Sequence, residues 1–517
     1  MTFEIVFVLL SLLGMMAVLI ADKMRPGMVL FSVVVLFLCV GILTPKEMLE
    51  GFSNKGMITV ALLFLVSEGI RQSGTLGQVI KKLLPQGKTT VFKAQLRILP
   101  SVAFISAFLN NTPVVVIFAP IIKHWAKSVK LPATKFLIPL SYVTILGGIC
   151  TLIGTSTNLV VHGMILEAGY EGFTMFELGK VGIFIAIAGI IYLFIFSKRL
   201  LPDARPDTAV PDEEVEEGEK LHRVEAVLGA RFPGINKKLS DFNFQRHYGA
   251  EVKEIKTRNG QRYVDHLEDV VLREGDTLVV MADDTFIPTW GESSVFVLLT
   301  NGNDPDTSGK KKRWLALILL VLMIVGATVG ELPATKEMFP DIKLDMFFFV
   351  CITTIIMAWT NIFPARKYTK YISWDILITI ACAFAISKAM VNSGVADCVA
   401  GFIIGLSDDY GPHVLLAILF VITNLFTELI TNNAAAALAF PLALSISAQL
   451  GVSPTPFFVV ICMAASASFS TPIGYQTNLI VQGIGNYKFT DFVRIGLPLN
   501  IITFLISVIL IPLIWNF

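Results

Sequence analysis

An internal repeat constrains this chain more than any other feature of its sequence. Two polar stretches, Ser106–Pro120 and Thr427–Pro441, interrupt long apolar runs and superimpose at an offset of 321 residues. Each is followed by a second matching stretch, Ile153–Leu159 and Ile473–Leu479, at an offset of 320 residues. Two matching features with nearly the same offset indicate a duplicated structural unit.

The composition is that of an integral membrane protein. Of 517 residues, 54% are hydrophobic and 16% are charged, whereas soluble domains carry about 25% charged residues. Apolar runs long enough to span a bilayer recur from Phe3–Ala21 to Ile495–Trp515. The first run is followed directly by a second span, which argues against a cleavable signal. The net charge of +1 does not favour nucleic acid, and six scattered cysteines predict small buried side chains.

The distribution of Lys and Arg predicts opposite orientations for the two polar stretches, because cytoplasmic loops are rich in basic residues. The stretch 98–125 has basic residues on both sides, which predicts a re-entrant hairpin that enters from the cytoplasm. No Lys or Arg occurs between Lys388 and Lys488, so the hairpin at 413–449 is predicted to enter from outside. The stretches 136–166 and 456–484 are predicted to be broken helices. Equivalent hairpins from opposite faces are typical of an inverted-repeat transporter.

Between the two repeats the composition changes to a dense mixture of charges and short β-rich runs. The runs Val224–Leu228, Val252–Lys256 and Thr277–Met281 are bounded by turn residues and predict a small α/β cytoplasmic domain. The predicted organisation is a first membrane repeat at 1–200, an acidic linker at 201–222, the cytoplasmic domain at 223–292, a linker at 293–312, and a second membrane repeat at 313–517.

The polar tips and breaks predict an anion site. Broken helices survive at membrane depth only where they line a cavity, and two tips with two breaks would present four helix N-termini, which favour anions. No Lys or Arg occurs in these stretches. Residues four apart share a helical face, so Ser106 with Asn110, and Thr427 with Thr431, are each predicted to reach one sodium ion. The alternative is that such polar residues only join helices.

Glu428 is the carboxylate inside the second hairpin, and its counterpart in the first repeat is Ala107. An ionisable side chain at membrane depth is a functional candidate. We expect it either to take part in cation or proton coupling or to point into a wet vestibule.

These residues resemble the divalent anion–sodium symporter family, the sodium–sulfate and sodium–dicarboxylate symporters. That family has Ser-Asn-Thr at each tip, where this chain has Asn110-Asn111-Thr112 and Thr431-Asn432-Asn433. The central Asn is kept and both flanking positions differ. The resemblance implies a homodimer with a scaffold region, and a transport region that moves like an elevator.

The resemblance also implies site residues. The sodium-binding residues it implies are Ser106, Asn110, Asn111 and Gly154 in one site, and Thr427, Thr431, Asn432 and Gly474 in the other. The substrate-binding residues it implies are Asn111, Thr112, Thr157, Asn158, Asn432, Asn433, Thr477 and Asn478. No catalytic residue and no metal other than sodium is implied.

The inserted segment Arg223–Trp290 resembles the C-terminal regulatory module of K⁺-conductance proteins (RCK-C or TrkA-C). It carries Gly234–Leu239, His247–Ala250 and Arg273–Leu278 in the pattern of that module. No Gly-x-Gly-x-x-Gly follows a strand, so the nucleotide-binding partner domain is missing from the pattern. A nucleotide-type regulator is one expectation and a purely dimerising role is the other. Symporters that carry such modules are often sulfate transporters.

Together these patterns predict a sodium-coupled symporter of a small divalent anion in the inner membrane of a prokaryote, with sulfate as the preferred substrate. A dicarboxylate symporter is the alternative within the class. An RCK-regulated K⁺ channel or uptake subunit is the alternative outside it, although no Gly-rich filter loop is present. An enzyme is not expected, because no nucleophile–base pair or metal cluster appears.

Overall fold

A computed structural model describes residues 2–21, 24–85, 87–203, 222–229, 231–257, 261–283, 286–290, 295–300, 310–405 and 411–517. Most of the predicted acidic linker at 201–222, and most of the predicted linker at 293–312, lie outside these residues. The first membrane half is entirely helical in its described part. Its helices are α1 (Phe3–Ala21), α2 (Pro26–Val40), α3 (Pro45–Glu50), α4 (Lys55–Gln72), α5 (Thr75–Leu83), α6 (Val91–Ser106), α7 (Asn111–Ser128), α8 (Thr134–Gly148), α9 (Ser156–Glu167) and α10 (Gly179–Leu200).

A small antiparallel sheet follows, in the order β3-β2-β4-β1-β5. The three runs predicted as strands are β1, β2 and β4, and they form its centre. The last strand lies in the stretch that the sequence assigned to a linker. The elements are β1 (His222–Leu228), α11 (Phe244–Tyr248), β2 (Glu251–Lys256), β3 (Arg262–Tyr263), β4 (Thr277–Ala282), α12 (Phe286–Trp290) and β5 (Phe296–Thr300). We call this unit, residues 222–300 in its described parts, the sheet domain.

The second membrane half repeats the helical pattern of the first. Its helices are α13 (Lys310–Gly330), α14 (Pro333–Met338), α15 (Met346–Trp359), α16 (Tyr368–Tyr371), α17 (Trp374–Asn392), α18 (Val395–Gly405), α19 (Gly411–Leu429), α20 (Asn432–Leu450), α21 (Thr455–Ser466), α22 (Gln476–Gly485) and α23 (Phe489–Ile514).

Eight helical stretches of the described chain are long and apolar enough to cross a membrane. They are α1, the stretch from α3 to α4, α10, α13, α17, α19, α20 and α23. Both helices of the second polar tip are among them, whereas α6 and α7 are not. The protein is therefore a polytopic helical membrane protein, and length alone does not distinguish a hairpin from two spans at the second tip.

We divide the membrane helices into two groups according to whether they form or pack around the tips and breaks. The first group is α1, α2, α4, α13, α15 and α17, and the second is α6 to α10 and α19 to α23, which pack against one another around the tips and breaks. The groups meet where α17 packs on α20 and where α4 packs on α9. The second group contains every tip and break that the sequence singled out.

Candidate functional site

Four helices of the second group begin at the polar tips and breaks. α7 and α20 start at the tips, and α9 and α22 start just after the breaks. None of the four has an N-cap side chain bonded to its first turn, so these N–H groups have no cap of the usual kind. The four N-cap residues are Asn110, Thr155, Thr431 and Tyr475.

The first tip contacts the break of the second repeat. Asn111 is fully buried, and its Nδ2 donates to the Tyr475 hydroxyl at 2.6 Å. Thr112 Oγ1 donates to Gln476 Oε1 at 3.4 Å. The start of α7 therefore lies against the start of α22.

The second tip contacts the break of the first repeat in the same way. Asn433 Oδ1 accepts hydrogen bonds from Ser156 Oγ at 3.1 Å and from Thr157 Oγ1 at 3.3 Å. Ser156 and Asn433 are the repeat counterparts of Gln476 and Thr112. The tip-to-break contacts are therefore crossed between the repeats, and the Thr112–Gln476 and Asn433–Ser156 contacts are equivalent.

Tyr475 joins the two sets of contacts. Its hydroxyl lies 3.0 Å from Thr155 Oγ1, and it accepts the hydrogen bond from Asn111 Nδ2. Tyr475 therefore links Asn111 of the first tip to Thr155 of the first break. The four helix N-termini belong to a single hydrogen-bonded network.

Each break is closed by the same pattern of bonds. In the first repeat Thr151 Oγ1 donates to the Ala107 carbonyl, and it accepts from Gly154 N–H at 3.1 Å. Asn158 Nδ2 donates to the Thr151 carbonyl at 2.9 Å. In the second repeat the equivalent bonds join Thr471 to the Glu428 carbonyl (3.1 Å), Gly474 N–H to Thr471 (3.3 Å) and Asn478 to the Thr471 carbonyl (3.1 Å).

The first predicted sodium niche differs from its expected form. Helix α6 ends at Ser106, so Asn110 lies beyond it and does not share its helical face. Ser106 Oγ instead donates to Asn111 Oδ1 at 2.8 Å, and Asn110 lines a small cavity with Ser67 and Ser156. Gly148 leaves room for the Asn111 amide, since a Cβ there would lie 2.7 Å from its Oδ1.

In the second predicted niche, Thr427 and Thr431 also do not share one helix. Helix α19 ends at Leu429, so Thr431 is the N-cap of α20. Thr427 Oγ1 donates to the Ala465 carbonyl at 2.6 Å. Thr431 Oγ1 is buried without a hydrogen-bond partner in the described part of the chain. A Cβ on Gly474 would lie 2.4 Å from the Thr427 carbonyl oxygen, so backbone and hydroxyl oxygens crowd together there.

Glu428 is held within the protein by several donors. Its carboxylate accepts from Asn500 Nδ2 at 2.7 Å, and from the backbone N–H groups of Ser470 and Thr471, both at 2.9 Å. The carboxylate joins α19, the second break and α23.

The predicted substrate residues of α9 and α22 fall into two kinds. Thr157 reaches the second tip, whereas Asn158 and Asn478 brace their own breaks. Ser141 Oγ on α8 donates to Asn478 Oδ1 at 2.7 Å and lies 2.8 Å from Thr477 Oγ1. Asn158 Oδ1 has no partner within the described residues; the residue matching Ser141 at the same offset is Ile461.

Sequence reasoning missed several residues of this network. Tyr475, Gln476 and Thr155 stand inside the matching break motifs, so the repeat pointed to them although no role was assigned. Thr151 and Thr471 also match at the repeat offset. Ser141 gave no signal, because it lies in an unbroken apolar helix.

Comparison with known proteins identifies the family. The profile described as "Citrate transporter" (CitMHS) matches residues 16–445 and 338–517. An uncharacterized transporter of Synechocystis is 29% identical over 94% of this chain and 93% of its own length. A probable sodium/sulfate cotransporter of Chlamydomonas reinhardtii is 32% identical over 54% of this chain and 31% of its own length. A sodium-dependent dicarboxylate transporter of Staphylococcus saprophyticus is 25% identical over 28% of each chain.

These relatives are membrane transporters and not enzymes, in agreement with the sequence prediction. Relatives named for sodium coupling and for anionic cargo support a small anion as substrate and Na⁺ as a transported ion. The match of this profile to most of the chain leads to one assignment: the chain belongs to the citrate transporter (CitMHS) family of integral membrane transporters.

Proposed function

We propose that this protein is a sodium-coupled symporter of a small divalent anion, with sulfate as its preferred substrate. One observation carries the proposal: four helix N-termini meet in one network that contains no Lys or Arg. Each N-terminus is equivalent to about half a positive charge, so four ends supply roughly the two charges that a dianion requires. Because no Lys or Arg side chain binds the anion in this arrangement, the anion can be released on the other side of the membrane.

The anion is proposed to bind at the junction of the tips and breaks. Thr112, Asn432 and Asn433 would contact it directly, together with Asn111 and Thr157. Asn158, Thr477 and Asn478 would act by keeping the breaks in shape, because their described bonds run to neighbouring backbone and to Ser141.

Sodium is proposed to occupy the oxygen-rich niche beside each tip. The first niche comprises Ser106, Asn111 and the Gly154 loop, with Asn110 next to it. The second comprises Thr427, Thr431, Asn432 and the Gly474 loop. The buried, unpartnered Thr431 hydroxyl supports the second niche, since a buried oxygen without a partner is costly unless something binds it. Glu428 lies beside this niche and would contribute to coupling through its charge.

The re-entrant arrangement is supported by the depth of the contacts. α21 has 12 residues and α22 has 10, so together they approximate one span with its break near the middle. The first tip contacts that break, and we infer that α6 and α7 turn back at mid-membrane. The second tip contacts the break between α8 and α9, which supports the same geometry from the opposite face. The two packing groups would then act as scaffold and moving transport unit of an elevator-type homodimer.

The sheet domain resembles an RCK-C module in its sequence, and we propose that it lies in the cytoplasm. A cavity beside β3 is lined by Thr257, Tyr263, His266 and Arg273, and a regulator of nucleotide type would bind there. Full-length protein titrated with nucleotides and cyclic dinucleotides should show saturable binding. A complete blank would leave the dimerising role.

Transport itself is tested by radiolabelled sulfate uptake into proteoliposomes, with an inward sodium gradient and with potassium in its place. We expect uptake that requires sodium and increases with an inside-negative potential. Thr112→Ala should raise the sulfate concentration that gives half-maximal uptake. Gly405→Ala is the control substitution, because a Cβ there would meet nothing within 4 Å. Sodium-independent uptake, or none, would refute the proposal.

A dicarboxylate is the second candidate substrate. It is favoured by the dicarboxylate transporter relative and by the citrate description of the family. Competition of sulfate uptake by succinate and by citrate separates the candidates. Stronger uptake of labelled succinate than of sulfate would reverse the preference.

A further inference from the structure

The two faces of the sheet domain have different partners. Strand side chains alternate between faces, and Val224, Ala226 and Leu228 of β1 belong to the core of the sheet domain. The opposite face of the same strand carries Glu225 and Val227. Val227 is 1% exposed and packs with the core of the membrane helices. This outer face is therefore covered by the membrane part of the chain.

An ion pair joins the outer face to α7. Lys123 Nζ on α7 lies 2.9 Å from a Glu225 carboxylate oxygen, and Lys256 Nζ on β2 lies 3.3 Å from the other. Burial opposes ionisation of Glu225, but the two lysines outweigh it and lower its pKa to about 2. The carboxylate is therefore ionised and ties β1 to α7.

A second contact joins the sheet domain to α22. The turn before β4 places Gly275 so that a Cβ there would lie 3.7 Å from Leu479 Cβ. A Cβ on Gly483 would lie 2.5 Å from Thr277 Oγ1 and 3.8 Å from Thr277 Cβ. Glycine at 483 therefore leaves room for the Thr277 hydroxyl where β4 approaches α22.

Both contacted helices start at the candidate site. α7 begins with Asn111 and α22 begins with Gln476, and Gly483 lies about 10 Å further along α22 at 1.5 Å per residue. The sheet domain also contacts the other packing group, because Arg231 donates to the carbonyl of Ile372 just before α17 at 3.5 Å. The domain therefore bridges the group that contains the site and the group that does not.

We propose that the docked sheet domain restrains the transport cycle, and that α7 and α22 must separate from its outer face before the site can move. This inference rests on the proposed symport function. The described contact includes an ion pair, one buried valine and the close packing of Gly275 and Gly483. Polar interfaces within a chain permit relative motion. In the docked state the sheet domain holds α7 and α22 fixed relative to α17.

A disulfide across the contact provides the test. Thr277→Cys with Gly483→Cys places two Cβ atoms about 3.8 Å apart, the mean separation in disulfides. Thr277→Cys also removes the hydroxyl that the new Cβ would meet. Two controls each carry one engineered cysteine in addition to the native cysteines. They are Thr277→Ala with Gly483→Cys, and Thr277→Cys alone. Peptide mass spectrometry of the full-length protein measures the crosslink.

We expect rapid crosslinking in resting protein, and a fall of at least about tenfold in sodium-driven sulfate uptake after oxidation. Dithiothreitol should restore uptake to within about twofold, and oxidation should leave both controls unchanged. If the fully crosslinked protein transports as fast as the dithiothreitol-treated protein, the proposal is overturned, since the sheet domain would then move together with α22.

Failure of the symport function has a different signature. If the parent protein shows no sodium-dependent uptake, the proposed function fails whatever the crosslink shows. The docking contact itself is then judged by crosslinking alone. Absence of a crosslink in resting protein would overturn the docked arrangement, and a crosslinking rate that does not change when sodium is added would overturn its coupling to the transport unit.

Discussion

Gly148→Ala is expected to damage sodium coupling by displacing one side chain. A Cβ at residue 148 would lie 2.7 Å from Asn111 Oδ1 and 3.1 Å from its Nδ2, closer than Cβ atoms pack. The nearest backbone atom, the Gly154 carbonyl oxygen, would be 3.2 Å away. The Asn111 amide is the part that moves, because it is the end of a side chain.

The magnitude follows from the bonds that the amide would lose. Asn111 accepts from Ser106 at 2.8 Å and donates to Tyr475 at 2.6 Å. Each hydrogen bond contributes about 1 kcal/mol, so losing both costs about 2 kcal/mol. A loss of that size corresponds to roughly a 30-fold increase in the sodium concentration that gives half-maximal uptake.

The assay is the sodium dependence of sulfate uptake in proteoliposomes, normalised to protein that elutes as a folded species. Gly14→Ala on α1 is the matched control, because a Cβ there would meet nothing within 4 Å. Its sodium dependence should equal that of the parent protein.

A double-mutant cycle separates local displacement from general damage. Asn111→Ala removes the amide that the new Cβ would meet, so adding Gly148→Ala to it should change the sodium dependence by less than about twofold. Fully additive effects, or a folded Gly148→Ala variant with unaltered sodium dependence, would refute the reasoning.

Three further predictions concern other parts of the molecule. Asn433→Ala removes the acceptor shared by two hydroxyls and should raise the KM for sulfate about tenfold with kcat nearly unchanged, in initial-rate uptake; an unchanged KM would count against anion contact. Glu428→Gln places an amide NH2 among donors, so it should lower the Tm in detergent and alter sodium dependence, whereas unaltered uptake would exclude a coupling role. Glu225 has its pKa lowered to about 2 from 4.5, so its contribution to docking is complete above about pH 4.5 and is lost as the pH falls towards 2. The rate of the Thr277–Gly483 crosslink, formed with a thiol reagent active in acid, should fall over that range, and Glu225→Gln should abolish the pH dependence.

The repeat indicated where the helices after the tips and breaks begin, because it placed polar residues inside apolar runs twice. The observed starts of α7, α9, α20 and α22 all fall within the matched motifs. The three central strands were also predicted, since each is a short β-rich run between turn residues.

Other features depend on three-dimensional packing and could not be predicted. A repeat offset shows which residues are equivalent, but not that Thr112 bonds to Gln476 in the other half. The pairing of Ser106 with Asn110 assumed a continuous helix, and the chain leaves the helix at Ser106. The docking of the sheet domain on α7 depends on a pair of residues, Lys123 and Glu225, that carry no local motif.

The exchange of partners between the halves has a consequence for biosynthesis. When only the first repeat has been synthesised, Tyr475 does not yet exist. The Asn111 Nδ2 group in the bilayer then has no hydroxyl to donate to. An unsatisfied polar group in an apolar medium costs several kcal/mol, and the nascent half should therefore remain loosely assembled. Separately produced halves should gain resistance to protease only after they are mixed, and neither half should acquire a native core by itself.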